Sequence, residues 1–333
     1  MSISLLLSVW WGASQAAWIL LGLVLDILFG DPPWRFHPVR LIGMLVTRLE
    51  KVARYIAHSP RQLRWAGMAL TMLVMVIVLG LVTALLMVAH VVSIWLFRLL
   101  IVLLTYWGVA VRGLAEAALA VYRPLAQGKW NEARYYLSMI VGRDTEKLSQ
   151  SEMIRATIET VAENTCDSIV APLLFTFIGG PAWLWLYKAV NTMDSMIGHR
   201  SAEYQDLGWF AARTDDWFNW IPARISGPAI AVAAGVDGRL HQAFAVMRAD
   251  GRRHPSPNSG ISEAAMAGAL GVSLGGVNTY QGVVSLRPKI GRSDRALSVP
   301  MIIQAVSITM RVTLVVSLVL GFVAFMATGR WLS

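Results

Sequence analysis

Between Ala66 and Val88 the chain carries no Asp, Glu, Lys or Arg, and residues 299–327 repeat the pattern with the single exception of Arg311. Each stretch exceeds the roughly 20 apolar residues needed to cross a hydrocarbon core about 30 Å thick. No water is available there to satisfy a bare backbone, so the segments have to be helical. Residues 5–29 and about 93–111 are long enough as well, which brings the expected full crossings to four. A hydrophobic fraction of 56% with 15% charged residues, against about 25% charged in soluble domains, puts the chain in the integral membrane class.

The charges sit between the apolar stretches. Residues 30–65 hold Arg35, Arg40, Arg48, Lys51, Arg54, Arg61 and Arg64 against Asp31 and Glu50, so this segment is expected on the cytoplasmic side, with both termini outside. The net charge of +9 is topogenic, because no basic run is interleaved with aromatics in the manner of a nucleic-acid site. Residues 168–187 are apolar enough to span, but Gly179-Gly180-Pro181 interrupts them, which predicts a re-entrant or broken helix. Ile225 to Val236 is too short to cross, and Ala264 to Gly276 is rich in small residues. The expected fold is an all-α integral membrane protein: about four full transmembrane helices, re-entrant or broken helices, and cytoplasmic helical segments. Residues 1–333 are expected to form a single membrane-embedded domain, with cytoplasmic segments at about 30–65, 112–167, 188–224 and 237–298. The first twenty-five residues lack Lys and Arg, so they read as a retained span rather than a secretory signal. Cys166 is the sole cysteine, which excludes an intrachain disulfide or a multi-thiolate metal site. Arg98 and Arg311, inside apolar spans, read as snorkelling or interhelically paired.

Polar residues concentrate in a few places. Arg155, Glu159, Glu163 and Asp167 recur every four positions and share one helical face directly against an apolar stretch. Three acids so placed repel one another and call for a cation: a metal, an arginine or a charged ligand. A turn near Asp31, His37 and Arg40 follows the first span. Arg143-Asp144-Thr145 suits either a phosphate contact or a helix cap. Lys188, Asn191 and Asp194 are three apart, and Arg213 precedes the adjacent acids Asp215 and Asp216, which suit Mg²⁺ or a pairing with Arg213 and Arg224. Arg252, Arg253, Asn258, and Ser259 or Ser262 as cap, precede a helix start in a manner that suits an anion or a surface loop. There is no Walker-type loop, no HExxH and no Gly-x-Ser-x-Gly elbow. What remains is carboxylates and amides suited to Mg²⁺ together with Arg and Lys suited to phosphates, which points to phosphoryl or acyl-phosphate chemistry.

At these residues the chain resembles the adenosylcobinamide-phosphate synthase family of cobalamin biosynthesis, the CobD/CbiB proteins. The resemblance rests on Gly30-Asp31-Pro32 with His37-Pro38-Val39-Arg40, Ser138 to Thr145, Glu159 to Asp167, Tyr187 to Gly198, Asp216 to Arg224, and Pro255 to Gly260, in that order. Cys166 and Ser168 stand where many members have serine and glycine. Membership implies a multi-pass enzyme of the bacterial inner membrane with its active site facing the cytoplasm. It implies ATP-dependent, Mg²⁺-dependent amide formation between adenosylcobyric acid and aminopropanol or its phosphate. With that reaction in view, Glu163, Asp167 and Asp194 are expected to hold Mg²⁺, with Asp215 and Asp216 as alternates. Arg40, Arg143, Lys188, Arg200, Arg213 and Arg253 would bind phosphate or substrate. Glu159, Glu163 or Asp31 would act on the attacking amine, and Asn164, Asn191 and Asn258 would bind substrate amides. The expected partners are the corrinoid, the amine and the lipid bilayer, with no nucleic acid, and with room for a homo-oligomer or an assembly with other corrinoid enzymes. The rival readings are a membrane sensor of the same fold and a small-molecule transporter.

Overall fold

The computed structural model describes residues 15–31, 34, 37–199, 201–280, 282–291 and 295–328. It is almost entirely helical, with one two-stranded sheet. Four helical stretches are long and apolar enough to cross a membrane: Pro60–Val92, Ile94–Ala126, Gln150–Ile197 and Pro300–Ala327. The protein is therefore a multi-pass membrane protein. Three of these contain or extend spans expected from the sequence. The expected first span, residues 5–29, is described only from Gln15 onward, as a short apolar helix.

The chain divides into two compact units. The first comprises residues 1–110, 171–219 and 317–333. Its helices are α1 (Ala16–Phe29), α2 (Pro38–Ile56), α3 (Pro60–Val92), α4 (Ile94–Gly108), α8 (Ala171–Ile197) and α9 (Trp209–Phe218). Helix α3 starts on a capping box: Ser59 and Gln62 satisfy each other's backbone N–H, and Pro60 occupies the first turn, where no N–H donor is needed. Leu70, Val74 and Val78, spaced four apart, pack in one core with Phe97, Ile101 and Leu104 of α4 and Trp185, Val190, Met193 and Ile197 of α8. Arg98 lies 5.3 Å from the Trp18 ring and 5.1 Å from the Trp95 ring, so aromatic faces take up its charge.

The break expected in residues 168–187 is present. Gly179 and Gly180 leave helical geometry inside α8, and Gly180 takes φ 68° with ψ −171°, a conformation essentially restricted to glycine. Pro181 follows and lacks the N–H that a continuous helix would use.

The second unit comprises residues 111–170 and 220–316. It contains α5 (Val111–Ala126), α6 (Trp130–Ser138), α7 (Gln150–Thr165), a π-helical turn (Cys166–Val170), α10 (Trp220–Ala233), α11 (Leu240–Asp250) and α12 (Ser259–Leu270). Strands β1 (Leu274–Tyr280) and β2 (Val283–Ile290) follow, and then α13 (Pro300–Thr328), whose residues to Val316 belong here. The small residues of α12 let it sink against α11; a Cβ on Gly268 would lie 2.7 Å from the Cα of Ala243. The hairpin had no counterpart in the sequence expectations, which read residues 264–276 as a small-residue stretch and the following segment as a basic approach to the last span. Gly275, at φ +80°, bends the start of β1 and lets the Pro288 carbonyl approach to where a Cβ would stand. Arg311 donates to Asp237 at 2.6 Å, which is the interhelical partner expected for a charge within a span.

Candidate functional site

In the second unit the first acid of the acid-rich helix face, Glu159, is paired with two arginines. Arg155 and Glu159, four residues apart on α7, are 3.5 Å apart. Arg143 reaches the same carboxylate from the 139–149 loop, with Nη2 donating to Glu159 Oε2 at 2.6 Å. Both guanidinium groups also donate to Asn278 Oδ1 on β1, at 2.8 Å from Arg143 and 3.0 Å from Arg155. Arg155 donates further to the carbonyls of Gly275 and Val277. The Gly275 N–H returns a bond to Glu159 Oε1 at 2.8 Å. Arg143, Arg155, Glu159 and Asn278 are all buried, so these bonds form in a medium that strengthens charge.

The hairpin is tied to the same loop by its backbone. The Asp144 N–H donates to the Thr279 carbonyl, and Asp144 Oδ2 accepts from the Gly282 N–H, each at 2.8 Å. The expectation that Asp144 or Thr145 caps α7 is corrected: Ser149 and Glu152 form the capping box, and Asp144 serves the hairpin instead.

Beside this cluster lies a second one. Glu163 Oε1 accepts from Ser259 Oγ at 2.9 Å. The start of α12 is capped by Ser256, whose hydroxyl accepts from the N–H groups of Asn258 and Ser259, and not by Ser259 or Ser262. Glu263 and His254 are buried with 3.6 Å between them. The Ser256 N–H donates to His254 Nδ1, while Nε2 lies 3.2 Å from Arg287 Nη1 and 3.6 Å from Glu263 Oε1. Burial, then the charges of Glu159 and Glu163, push the Glu263 carboxyl well above its ordinary range. Burial, then Arg287, lower His254 to about 4. Arg287 in turn donates to Tyr280 Oη at 2.7 Å. Burial thus disfavours the charged forms of both Glu263 and His254, and Arg143, Arg155 and Arg287 lie in the same neighbourhood. Guanidinium groups so gathered suit an anionic group on a ligand.

The four-residue repeat does not carry through to Asp167. Helix α7 is α-helical to Thr165; at Cys166 the chain widens into a π turn that contains Asp167. Such turns recur at functional sites. Asn164 uses its amide locally, donating to the Thr160 carbonyl and accepting from Ser168 Oγ, both at 3.0 Å.

The first unit holds a separate acid cluster. Asp215 accepts from Asn219 Nδ2 at 3.0 Å and from Asn191 Nδ2 at 3.4 Å. The buried Asn219 side chain accepts in turn from Tyr187 Oη at 3.0 Å. Burial, then the negative charge of Asp194, raise the Asp215 carboxyl to about 7. A buried carboxylate beside a second one makes a place for a cation, and Mg²⁺ is commonly held by one or two carboxylates with substrate phosphates completing its shell. Lys188, Asn191 and Asp194 follow one another along α8 at intervals of three. Asp216 turns instead towards Arg213, 3.9 Å away, and Arg224 lies over the Trp220 ring.

The remaining expected residues are scattered. Asp31 is paired with His37 at 3.2 Å, and Arg40 is exposed on the first turn of α2. Arg253 is held by Asp250 at 3.0 Å, and Asn258 is buried at the start of α12. Arg200 lies outside the described residues. Among the described residues no three His, Cys, Asp or Glu side chains gather closely enough to hold a metal by themselves. Glu163 and Asp167 belong to one unit and Asp194 to the other. Asn278, Arg287, His254 and Glu263 were not among the expected site residues, because their partners stand up to 135 positions away and leave no local pattern.

A family-level match under the description CobD/Cbib protein covers residues 19–309. The chain belongs to the CobD/CbiB family. Its relatives include proteins named "Cobalamin biosynthesis protein CobD" from several bacteria. That of Geobacter metallireducens is 46% identical, covering 82% of this chain and 85% of its own. That of Halalkalibacterium halodurans is 41% identical, covering 92% and 94%. The Klebsiella pneumoniae member is 41% identical, covering 95% and 96%. No solved structure matches the chain. Within the CobD/CbiB family, then, this member combines a buried arginine–glutamate cluster beside a hairpin with a like-charged aspartate pair on α8 and α9.

Proposed function

We propose that this chain acts in cobalamin biosynthesis as the ATP-dependent, Mg²⁺-dependent enzyme that joins adenosylcobyric acid to aminopropanol or its phosphate through an amide bond. Membership of the CobD/CbiB family over residues 19–309 carries this reading. A carboxylate is a poor acyl donor, and phosphorylating it supplies the leaving group that amine attack requires. The residues fit those demands unit by unit. In the first, Asp194 and Asp215 fit Mg²⁺, because burial and then the charge of Asp194 raise Asp215 to about 7, and a divalent cation would offset both. When bound, that ion supplies neutralising charge to phosphate oxygens. Asn191 and Asn219 hold Asp215 in place, and Lys188 suits a phosphate.

In the second unit Arg143 and Arg155 are already engaged with Glu159, which makes them organisers more than free phosphate ligands. Glu163, partly exposed and oriented by Ser259, suits the acceptor of the attacking amine's proton. Glu263, whose burial favours the protonated carboxyl, suits the donation of a hydrogen bond where an ionised carboxylate could only accept. The proposed location is the bacterial inner membrane with the active site on the cytoplasmic side, where the basic segments and ATP would both be. The sensor and transporter readings have no observation in their favour.

The test is to incubate the purified protein in lipid nanodiscs with adenosylcobyric acid, aminopropanol phosphate and Mg·ATP, and to look for the amide by mass spectrometry. ATP-dependent product is expected, and Asp215→Asn should raise the Mg²⁺ concentration needed for it. Folded protein that yields no product would sink the reading.

A further inference from the structure

We propose that the outer face of the β1–β2 hairpin rests in the headgroup layer of the bilayer that α13 crosses. The strand register sets Val277 opposite Leu286 and Thr279 opposite Val284, which puts these four side chains on one face. Val277, Val284 and Leu286 are 51%, 63% and 77% exposed. The other face carries Asn278, bound to Arg143 and Arg155, so the hairpin is held from behind while its apolar side is turned out. An isolated two-stranded hairpin is marginal in water, and this one is stabilised by buried ion-pair chemistry rather than by covering its apolar face.

Chain continuity indicates what covers that face. Strand β2 ends at Ile290 and α13 begins at Pro300. Ten residues span at most about 35 Å even when fully extended, so the hairpin stays within reach of the point where α13 enters the membrane. The charge fits as well. From Leu274 to Gly291 there is no Asp or Glu, and Lys289 is exposed near the end of β2, on the side that alternation shares with Ser285 and Arg287. An exposed apolar patch on a strand pair that carries no acid matches a lipid headgroup layer, where the apolar side chains enter the headgroup boundary. The hairpin would then act as an interfacial anchor that fixes the height of the Arg143–Glu159 cluster relative to the membrane.

The experiment places an environment-sensitive NBD label at residue 284 (Val284→Cys) in the full chain, reconstituted in nanodiscs with and without lipid carrying a spin label near the headgroup. Cys166 is buried, and wild type taken through the same labelling supplies the background. Leu318→Cys, exposed on α13, is the lipid-contact reference, and Glu132→Cys, exposed on α6, is the aqueous reference. The expected result is a blue-shifted emission at 284 that loses most of its intensity to the spin-labelled lipid, as at 318. Quenching no greater than at 132 would overturn the proposal. So would a blue shift without lipid quenching, which would mean that protein, such as a second copy of the chain, covers the face. Unchanged circular dichroism and elution position of each labelled variant show that the reading comes from folded protein.

Discussion

Replacing Arg143 by methionine removes a buried cation while keeping much of its aliphatic bulk. Arg143 gives Glu159 a bond of 2.6 Å and Asn278 one of 2.8 Å, and hydrogen bonds involving charged groups contribute about 1.5–3 kcal/mol each. Arg155 remains 3.5 Å from Glu159 and the Gly275 N–H still donates to it, so Glu159 is not stranded altogether. Breaking a buried pair from one side costs about 3–5 kcal/mol, and the residual partners favour the lower part of that range. At about 2–4 °C per kcal/mol for a unit of this size, the melting temperature should fall by roughly 10 °C. Glu159→Gln should cost a similar amount, because it leaves Arg143 and Arg155 facing each other without their shared anion. The double variant should recover about 2 kcal/mol relative to the sum of the singles, since the groups share one network. The assay is thermal unfolding in detergent followed by circular dichroism. If Arg143→Met melts within about 2 °C of wild type, or if the two losses simply add, the cluster is not the interdependent unit argued above.

Glu263→Gln should change stability by less than about 1 kcal/mol at pH 7, because burial disfavours the charged carboxyl and the amide keeps its shape; a loss of several kcal/mol in thermal unfolding would refute this. Asp215, raised from 3.8 to about 7, binds more protons folded than unfolded between those values, so its contribution is present below about pH 4 and is lost as pH rises through 7. Wild type should therefore lose melting temperature between pH 5.5 and 8.5 more steeply than Asp215→Asn, and parallel profiles would count against the shift. Gly180→Ala should cost about 1–3 kcal/mol, since alanine is strained at φ 68° and ψ −171°; an unchanged melting temperature would show that the break in α8 can relax. Ser259→Ala should weaken binding of whatever Glu163 contacts more than it alters folding, with a stability loss of about 1 kcal/mol measured in the same way.

Much of the scaffold was legible from local pattern. An uncharged run such as 66–88 has one stable solution in lipid, and α3 contains it. Gly179-Gly180-Pro181 carried its own break, because glycine allows the backbone conformation and proline denies the hydrogen bond. The four-residue spacing placed Arg155 on Glu159 before any contact was visible. Other parts were hidden. The hairpin at 274–290 has two glycines directly after its first residue and carries a proline, so strand alternation is diluted where it would have been sought. His254, Glu263 and Arg287 show nothing unusual in their own neighbourhoods; the shifts of His254 and Glu263 arise from burial and from packing against Arg287 and α7.

The amino-acid sequence by itself determined that this is a multi-pass helical membrane protein, where its apolar segments run, and that its acids needed compensating cations. Those conclusions follow from hydrophobicity and helical periodicity, which act between near neighbours along the chain. Only the tertiary structure decided which groups answered which acids: Arg143 and Arg155 pair with Glu159, Ser259 donates to Glu163, and the Asn191 and Asn219 amides donate to Asp215 beside Asp194. The physical reason is that charge pairing and desolvation depend on distance and burial in space. A loop at 143 and a strand at 278 acquire those only when the chain has folded.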